Sequence, residues 1–314
     1  MSKIPRISIG LPVYNGDNFI EQTLDSILSQ TYKDFELIIS DNASTDKTEK
    51  ICNLYAEKDK RIRYSRNKEN IGGAKNYNKV FALSKGEYFK WAAHDDIISP
   101  TFLERCVEAL DRDPSIVLCY SKMQYIDKDG QFLKNYWHRP NYGSLHPFKR
   151  FHDFVLLGTQ TFEHFGLVRS EILKKTLLYE PHTFSDCVLL AELSLLGKFY
   201  EIPETLFYIR LHPDISTVRF PDRVTATLWF DPSKEGKLAF PNWRAIERYT
   251  KIVNRTPMKY NEKIRCYLII GKWIKDNNPH LRSDIKIAMK KTIMKIKFRY
   301  GHHKSPDQKI GNKE

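Results

Sequence analysis

"RISIGLPVYNGDNFIEQTLDSILSQTYKDFELIISD", residues 6–41, decides the predicted fold. A short apolar run ends at the turn VYNG, apolar residues then recur at helical spacing, and a second apolar run follows. The same alternation continues to about residue 120, with further strands predicted at 61–67, 87–96 and 115–121. Because helices that alternate with strands connect parallel neighbours, the sequence predicts an α/β fold with helices on both faces of the sheet.

The chain beyond about residue 120 follows a more mixed pattern. A hairpin with a DKDG turn is predicted at 123–133, a strongly apolar helix at 185–198 and a late strand at 205–213. Residues after about 220 are mostly helical in pattern and strongly basic.

Composition excludes several classes of protein. Of the 314 residues, 41% are hydrophobic and 13% aromatic, which is typical of a folded chain. The five scattered cysteines form no CxxC pair, so they indicate neither a zinc nor a thioredoxin-type site and predict reduced thiols in a cytosolic protein. The start, MSKIPRISIG, lacks the apolar core of a signal peptide, and no run approaches the roughly 18 apolar residues of a membrane span. We therefore expect a cytoplasmic protein, soluble or peripheral to a membrane.

The formal net charge of +13 is concentrated in the last third of the chain. Residues 1–220 hold 29 Lys and Arg against 29 Asp and Glu, whereas residues 221–314 hold 22 against 9. Such asymmetry predicts a basic surface that faces an anionic partner, either nucleic acid or an acidic membrane leaflet.

Polar segments follow each of the first four predicted strands: LPVYNG, SDNAST, RNKENIGGAKNYN and AAHDD. In open parallel sheets, ligands bind beyond the carboxyl ends of the strands, so these segments meet at one edge. The third is a glycine-bearing loop that enters a helix, where backbone amides can meet phosphate. The polar side chains that this edge gathers are Asp41, Asn42, Arg66, Asn70, Lys75, Asn76, Asp95 and Asp96.

Asp95 and Asp96 are adjacent carboxylates at the end of a strand. They suit a hard divalent cation, Mg²⁺ or Mn²⁺, that also holds a diphosphate. The alternative is a solvated turn that caps the helix beginning near Pro100.

Together these segments carry a family resemblance. "ISIGLPVYNGDNFIEQTLDSILSQTYKDFELIISDNASTDKT" and "NIGGAKNYNKVFALSKGEYFKWAAHDD" resemble the family 2 glycosyltransferases of GT-A fold in order and spacing over about the first 110 residues. The match continues more loosely to about residue 220 through "FEHFGLVRSEIL" and "FSDCVLLAELSLLGKFYEIPETLFYIRLHP". The resemblance implies a GT-A catalytic domain at 1–220, with a Rossmann-like, mostly parallel sheet flanked by helices. Within it, 1–110 would bind the nucleotide sugar and 111–220 the acceptor, and a basic helical region would follow at 221–314.

The resemblance also implies nucleotide-binding residues. The family's P-x-Y-N segment, here Pro12, Val13, Tyr14 and Asn15, lies along the nucleotide. Asp41, with Asn42 beside it, is expected to accept a hydrogen bond from the ring N–H of the base, usually uracil. The loop residues expected to border the sugar phosphate are Asn70, Gly72, Lys75 and Asn76.

The metal motif departs from the family pattern. Members often have Asp-x-Asp-Asp where this chain has Ala93-His94-Asp95-Asp96, so the ribose contacts of the leading acid are in question. Asp95 and Asp96 remain as the metal and diphosphate pair, with Mn²⁺ or Mg²⁺ as cofactor. The late element YIRLHP implies that Arg210 contacts the diphosphate and that His212 is a metal ligand; a strand-end salt bridge and a turn histidine are the alternatives.

Asp186 is the residue implied as catalytic base. In inverting members a carboxylate opens the apolar helix, and here Ser185-Asp186 does so. It would take the proton of the acceptor hydroxyl while the oxygen attacks the anomeric carbon opposite the leaving group. The alternative is an acidic residue favoured by the dipole of the helix N-terminus.

The segment "SDIKIAMKKTIMKIKFRY", residues 283–300, predicts a basic amphipathic helix. It spaces Ile285, Met289, Ile293 and Ile296 along one stripe, with lysines and an arginine around them. Such a helix could lie on an anionic leaflet at the inner face of a membrane. Members of the family that this chain resembles often act on lipid-linked acceptors there. The alternative is a helix that packs on the catalytic domain with a solvated basic face.

The sequence thus predicts a metal-dependent, inverting transferase that moves a sugar from a UDP-linked donor to a glycan or lipid-linked acceptor. A nucleotidyltransferase would favour a loop rich in glycine, Arg and Lys after the first strand, where this chain has LPVYNGDNF. A nucleic-acid-binding protein is disfavoured by the neutral first 220 residues, and no nucleic-acid partner is expected. An inactive relative, suggested by Ala93, is the remaining alternative.

Overall fold

A nine-stranded mixed sheet forms the centre of the computed structural model, which describes residues 4–136, 142–157, 161–220, 223–235 and 237–301. The strands are β1 Ile7–Val13, β2 Phe35–Asp41, β3 Ile62–Arg66, β4 Tyr88–Trp91, β5 Ile97–Ile98, β6 Ile116–Ile126, β7 Phe132–Asn135, β8 Leu167–Arg169 and β9 Lys198–Arg210. The helices are α1 Ile20–Leu28, α2 Thr48–Lys58, α3 Gly73–Ala82, α4 Phe102–Arg112, α5 Pro147–His152, α6 Ser170–Leu173, α7 Ser185–Leu196, α8 Ser216–Arg219, α9 Arg223–Phe230, α10 Pro241–Arg255, α11 Tyr260–Asp276 and α12 Asn278–Gly301.

The strand order is β3-β2-β1-β4-β8-β6-β9-β5, with β7 paired to β6. β1 is parallel to β2 and β4, β2 is parallel to β3, and β6 is parallel to β9. β8 lies between β4 and β6 and is antiparallel to both. The predicted fold class is therefore confirmed, and the antiparallel β8 is the element that joins its two parallel sets. With three residues, β8 is too short for a periodicity to reveal it.

The first βαβ unit is formed as the sequence predicts. Every residue of β1 and β2 is buried, which is the burial expected of strands covered on both faces. α1 buries Ile20, Leu24 and Ile27, so its apolar stripe is the one that the helical spacing indicated.

The fourth strand is shorter than predicted. β4 ends at Trp91, whereas the sequence suggested a strand to residue 96. Ala92 still donates its amide to the carbonyl of Gly10, but the chain then leaves the sheet. Residues 93–96 consequently form an irregular loop, and Ile97 and Ile98 pair with β9 instead of continuing beside β1.

The long strands β6 and β9 bring distant segments to the same edge. Ile126, the last residue of β6, pairs with Arg210, the last residue of β9. The predicted DKDG hairpin is confirmed: β6 and β7 are antiparallel, and Gly130 has the positive φ of 82° that the turn requires. Arg210 therefore arrives beside this turn and the loop that follows β4.

The helices after residue 220 pack on the α/β part and on one another. α9 contacts α3, α10 contacts α7, and both α11 and α12 contact α10. Within the described residues, no helix combines the length and the apolarity needed to cross a membrane.

Candidate active site

Asp95 and Asp96 lie in the loop between β4 and β5, and the end of β9 holds both. The Oδ1 atom of Asp96 accepts a hydrogen bond from the main-chain amide of Arg210 at 3.0 Å. Nε2 of His212 donates to Oδ2 of Asp95, also at 3.0 Å. Since Nδ1 of His212 accepts from the amide of Asp214, Nε2 is the nitrogen that faces the acid. The structure thus brings together the four residues that the sequence placed at the metal and diphosphate.

The two carboxylates have different environments. Burial raises the pKa of Asp96 well above its usual range, and the charge of Asp95 raises it further. Burial also acts to raise the pKa of Asp95, but the charges of His94 and His212 and the hydrogen bond from His212 outweigh it and leave the pKa of Asp95 lowered. Asp95 is therefore the acid that keeps its negative charge more readily.

The donor atoms at this loop fit a divalent cation that arrives with its substrate. Among the residues the structure describes, no group of three or more His, Cys, Asp and Glu side chains forms a ready-made metal site. Mg²⁺ is often held by one or two carboxylates, with substrate phosphates and water completing its shell. Two adjacent carboxylates faced by His212 match that arrangement, and a closed protein cage is not present in the described part of the chain.

Arg210 supports the acid loop through its guanidinium. The side chain is buried, and Nε donates to the carbonyl of Asp95 at 2.9 Å. Nη1 donates to the carbonyl of Lys128 at 2.8 Å, and Nη2 donates to Oε1 of Gln22 at 2.7 Å. The group also lies 4.7 Å from the ring centre of Phe19. Its donors are thus engaged with the protein, and direct contact with a diphosphate stays a prediction.

Asp41 ends β2 and is fully buried. Its Oδ1 accepts from the amide of Ser44 at 2.8 Å, and its Oδ2 accepts from the hydroxyl of Tyr64 at 2.9 Å. Nε of Arg66 lies 3.6 Å from the same Oδ2. A carboxylate has about four acceptor positions, so Asp41 can accept a further hydrogen bond. The predicted contact also requires that a nucleotide base can reach this buried carboxylate.

A network of asparagines orders the neighbouring loop. Nδ2 of Asn42 donates to Oδ1 of Asn70 at 2.8 Å. Nδ2 of Asn67 donates to Oδ1 of Asn42 at 3.0 Å and to Oδ1 of Asn76 at 3.2 Å. Asn42 and Asn70 are thus bonded to each other, and Asn76 is linked to Asn42 through Asn67. Asn70 and Lys75 are the exposed members of this loop's predicted set.

Gly72 lies where the loop meets the C-terminal region. It has a positive φ of 85°, and a Cβ atom there would come within 2.7 Å of the carbonyl oxygen of Phe230. Trp229 packs on the next residue, Gly73. The end of α9 therefore covers the loop, a contact that joins segments about 157 residues apart and that no local pattern could indicate.

The VYNG turn presents one aromatic side chain to solvent. Pro12 and Val13 are buried in β1, whereas Tyr14 is 41% exposed. Asn15 has a positive φ of 52°, and its Oδ1 accepts from the amide of Thr45. A Cβ atom on Gly16 would come 2.5 Å from the His94 ring, so the metal-motif histidine lies directly against this turn.

Asp186 opens α7, as the sequence predicts. Its Oδ2 accepts from the hydroxyl of Thr161 at 2.6 Å, and its Oδ1 accepts from the amide of Cys187 at 2.8 Å. It is half-buried.

Tyr77, on α3, links Asp186 to the paired acids. Burial raises the pKa of the Tyr77 phenol, and the charges of Asp95, Asp96 and Asp186 raise it further. The surrounding contacts are direct: the indole N–H of Trp91, at the end of β4, donates to the carbonyl of Tyr77 at 3.0 Å, and Asn78 donates to the carbonyl of Tyr179 at 2.7 Å. Helix α3 is therefore bound both to the strand that leads to Asp95 and Asp96 and to the segment that leads to α7 and Asp186.

Sequence reasoning did not assign Tyr77 to this region, and it left Trp229 open between a core position and the acceptor pocket. The ring of Tyr77 lies 4.8 Å from that of Tyr179 and 6.1 Å from that of Trp229. Tyr77 stands in the quoted segment KNYN, but its aromatic character alone also fits an ordinary core position. The contact between α3 and α9 is what distinguishes a position in this region from an ordinary core position.

Comparisons with known proteins agree with this architecture. Residues 8–176 match the family model described as glycosyl transferase family 2. The chain is similar to an uncharacterized glycosyltransferase of Methanocaldococcus jannaschii, with 31% identity over 173 residues, covering 54% of this chain and 58% of that relative. It thus spans little more than half of that relative's length.

Two solved structures resemble the fold. S. aureus TarS 1–349 in complex with UDP-GlcNAc has a TM-score of 0.61 at 14% identity, covering 91% of this chain and 81% of that one. The mannosyltransferase PcManGT of Pyrobaculum calidifontis, in complex with GDP-Man and Mn²⁺, has a TM-score of 0.51 at 16% identity, covering 91% and 74%. Both are alike in fold, and the family model covers more than half of this chain. The chain therefore belongs to glycosyl transferase family 2.

Proposed function

We propose that this protein transfers a sugar from a nucleotide-sugar donor, a UDP-sugar, to a hydroxyl group of a glycan or lipid-linked acceptor, with inversion at the anomeric carbon. The observation that carries the proposal is that Tyr77, Trp91 and Tyr179 pack together and so link the end of β4, which leads to Asp95 and Asp96, with the segment that leads to α7 and Asp186. Acids that flank one region can serve the two ends of a displacement, the departing diphosphate and the attacking hydroxyl. Family membership supports the reaction class, and the UDP-GlcNAc complex of TarS supports the donor class.

The diphosphate end of the site is assigned to the paired acids. In this proposal Asp95 and Asp96 hold Mn²⁺ or Mg²⁺ together with the diphosphate, and the Mn²⁺ complex of PcManGT supports a metal of this kind. His212 would join them as a ligand once its Nε2 no longer donates to Asp95. When bound, the cation stabilises the negative charge that develops on the leaving group. Arg210 keeps the acid loop in place through its bonds to Asp95 and Asp96.

The nucleotide end is assigned to the edge formed by the first three strands. Tyr14 is exposed at the VYNG turn and is available to lie along a base or ribose. Lys75 is exposed at the start of α3 and is available to a phosphate. The remaining members of the proposed nucleotide wall are Pro12, Val13, Asn15, Asp41, Asn42, Asn70, Gly72 and Asn76.

The acceptor end is assigned to Asp186. Its carboxylate takes the proton of the acceptor hydroxyl as the oxygen attacks the anomeric carbon on the face opposite the diphosphate. The hydrogen bond from Thr161 to Oδ2 fixes the orientation of the carboxylate. The bond between sugar and diphosphate breaks as the new glycosidic bond forms.

A binding experiment tests the donor assignment. The full chain is titrated with UDP, UDP-GlcNAc and GDP-Man, each with Mn²⁺ and with EDTA, by calorimetry. We expect tighter binding of the uridine nucleotides with Mn²⁺, and loss of the Mn²⁺ effect in Asp96→Ala. Absence of binding and of sugar release for every nucleotide sugar would overturn the proposed function.

We further propose that the C-terminal helices contact an anionic membrane leaflet from the cytoplasmic side. Of the 22 large apolar side chains that are exposed among the described residues, ten lie between residues 260 and 294. On α11, Tyr260 is 80% and Leu268 is 69% exposed; on α12, Met289 is 59% exposed. Both helices pack on α10, so these side chains point away from the body of the protein.

Charge favours lipid over a second copy of the chain at this surface. Residues 260–294 hold eight Lys and Arg against three Asp and Glu. Two copies that met through this face would bring like charges together, whereas an anionic leaflet complements them and receives the apolar side chains. Ile285 and Ile293 of the predicted stripe are exposed, and the side chain of Ile296 lies outside the described residues, as do those of Lys295, Lys297 and Arg299.

Vesicle co-sedimentation tests the membrane contact. We expect binding to vesicles with 30% phosphatidylglycerol in phosphatidylcholine and none to phosphatidylcholine alone. Leu268→Glu should weaken the binding, while Leu54→Glu, which alters an exposed leucine at 44% on α2, should not. Self-association without vesicle binding, or binding to single-stranded RNA in place of vesicles, would contradict it.

A further inference from the structure

Lys90 is a buried lysine on the strand that leads to the paired acids. It lies in β4, is 1% exposed and pairs with Ile9 of the neighbouring strand β1. A lysine is almost never fully buried unless its ammonium group has partners. Solubility or surface charge therefore does not explain why a lysine occupies this position.

The ammonium group of Lys90 joins two segments of the chain. Nζ donates to the carbonyl of Trp91 at 3.1 Å and to the carbonyl of Phe165. It also lies 4.9 Å from the ring centre of Phe102 and 5.1 Å from that of Phe207. Lys90 therefore ties the end of β4 to the short 3₁₀ turn that Phe165 ends.

The 3₁₀ turn leads directly to the proposed base. Thr161 precedes the turn, and its hydroxyl donates to Asp186 at 2.6 Å. Within the turn, Nδ1 of His164 is hydrogen-bonded to the carbonyl of Thr161, and its ring packs 3.9 Å from that of Phe165. The five residues from Thr161 to Phe165 thus form a short, internally bonded link to Asp186.

On its other side, Lys90 adjoins the paired acids. Lys90 and Asp96 line the same small cavity, of about 10 Å³, together with Thr23, Ala92 and Phe207. The hydroxyl of Thr23 donates to the carbonyl of Asp96 at 2.9 Å, so the loop is held to α1 at this cavity. Lys90 therefore contacts the turn that is bonded to Asp186, and it adjoins the loop that carries Asp95 and Asp96.

We propose that Lys90 is a positioning residue that fixes the proposed base, Asp186, relative to the paired acids by tying the 3₁₀ turn to the end of β4. This inference rests on the proposed function and deepens it. The link acts through hydrogen bonds from Nζ to two carbonyls, so Lys90 touches neither donor nor acceptor. Displacement of one reacting group by about 1 Å can lower a rate about 100-fold, so such a link has a measurable effect on turnover.

Lys90→Met tests the link because methionine keeps the length and apolar stem but has no N–H to donate. The matched control is Arg150→Met. Arg150, on α5, is also buried and donates to the carbonyl of Ser144 and, at 2.6 Å, to that of Ser194, which lies at the end of α7 opposite Asp186. Both variants remove a buried cation from backbone carbonyls, and only Lys90→Met removes the tie to the turn.

Turnover and nucleotide binding are measured with the full chain. We expect Lys90→Met to lower kcat by about 10- to 100-fold while the Kd for UDP changes less than about threefold. Arg150→Met should leave kcat within about threefold, and Lys90→Arg, which retains N–H donors, should restore part of the turnover. Thr161→Val combined with Lys90→Met should lower kcat by less than the product of the single effects. Wild-type kcat in Lys90→Met, or effects that multiply, would overturn the inference.

Amide hydrogen exchange decides the link without relying on turnover. In Lys90→Met we expect faster exchange at residues 162–166, and in Arg150→Met we expect exchange there to match wild type. Unchanged exchange at 162–166 in Lys90→Met would overturn the inference even if the protein is an active transferase. A wild-type chain that turns over no nucleotide sugar would overturn the proposed function, whereas the exchange result would still show whether the tie exists. If Lys90→Met does not fold, Lys90→Leu, which also has no N–H in its side chain, replaces it in both measurements.

Discussion

The main-chain amide of Arg210 donates a 3.0 Å hydrogen bond to Oδ1 of Asp96, across 114 residues of sequence. The guanidinium of the same arginine donates to the carbonyl of Asp95. A single residue at the end of β9 therefore holds both acids of the loop. The shape of the proposed metal site depends on where β9 ends as much as on the acids themselves.

Arg210→Met should disturb the acid loop and the stability of the fold together. It removes hydrogen bonds from a buried cation to Asp95, Lys128 and Gln22, and we expect the free energy of unfolding to fall by about 2–4 kcal/mol. The Mn²⁺-dependent part of UDP binding should weaken as well. Urea unfolding and calorimetric titration measure the two effects.

Arg105→Met is the control for this change. Arg105 is an exposed arginine that pairs with Glu108 and Glu204, and because water and salt screen such surface pairs they contribute little to stability. Equal losses of stability in the two variants would show that the buried bonds of Arg210 have no special weight.

Asp186→Asn should separate turnover from donor binding. The amide cannot take a proton from the acceptor hydroxyl, so we expect kcat to fall by about 10²- to 10⁴-fold. The Kd for UDP with Mn²⁺ should stay near the wild-type value, because the proposed role of Asp186 is at the acceptor end. Steady-state kinetics and titration of the same preparation measure both quantities. Activity near wild type would assign the base to another residue.

Gly72→Ala and Gly130→Ala compare two glycines of nearly equal backbone conformation. Their φ angles are 85° and 82°, so alanine strains both backbones by a similar amount, about 1 kcal/mol. A Cβ atom on Gly130 meets nothing within 4 Å, whereas one on Gly72 would come 2.7 Å from the carbonyl oxygen of Phe230. We therefore expect Gly72→Ala to lower stability more than Gly130→Ala and to weaken UDP binding, which Gly130→Ala should leave unchanged.

Thermal unfolding and nucleotide titration check this pair. Equal destabilisation would mean that the contact between the loop and α9 has no energetic consequence. Weaker UDP binding in Gly130→Ala would mean that the hairpin turn, and not this contact, controls the nucleotide edge.

The part of the fold that could be predicted from sequence is the part built from neighbouring segments. β1, α1 and β2 follow one another, and each carries the apolar pattern of its own environment. The acids at strand ends could be placed at one edge because parallel strands end together. These local rules account for Asp41, Asp95 and Asp96.

Contacts between distant segments could not be predicted in the same way. The sequence extended β4 through residue 96 because apolar residues continue to Ala93, but Arg210 draws the chain out of the sheet. Trp229 covers Gly73, and Lys90 reaches Phe165, through tertiary packing that leaves no periodic signal. The apolar pattern of YFKW gives no indication that its lysine, Lys90, links two segments of the candidate site.

The stability of the protein should fall between about pH 5 and pH 8 because of Glu163. Burial above all, together with the charges of Glu201 and Asp186, raises the pKa of this carboxyl to about 8. In the unfolded chain the same group has an ordinary pKa of about 4.3. Between the two values the unfolded state releases a proton that the folded state retains, so the contribution to stability is complete below the lower value and declines as pH rises toward the higher one.

Glu163→Gln tests this pH dependence, since glutamine has the shape of the protonated acid and does not titrate. We expect the Tm of wild type to fall more steeply between pH 5 and pH 8 than the Tm of Glu163→Gln, and the variant to be the more stable protein at pH 8. Calorimetric unfolding at unit steps of pH measures both curves. Parallel curves would show that Glu163 has the same pKa in the folded and unfolded states, and that another group governs the response to pH.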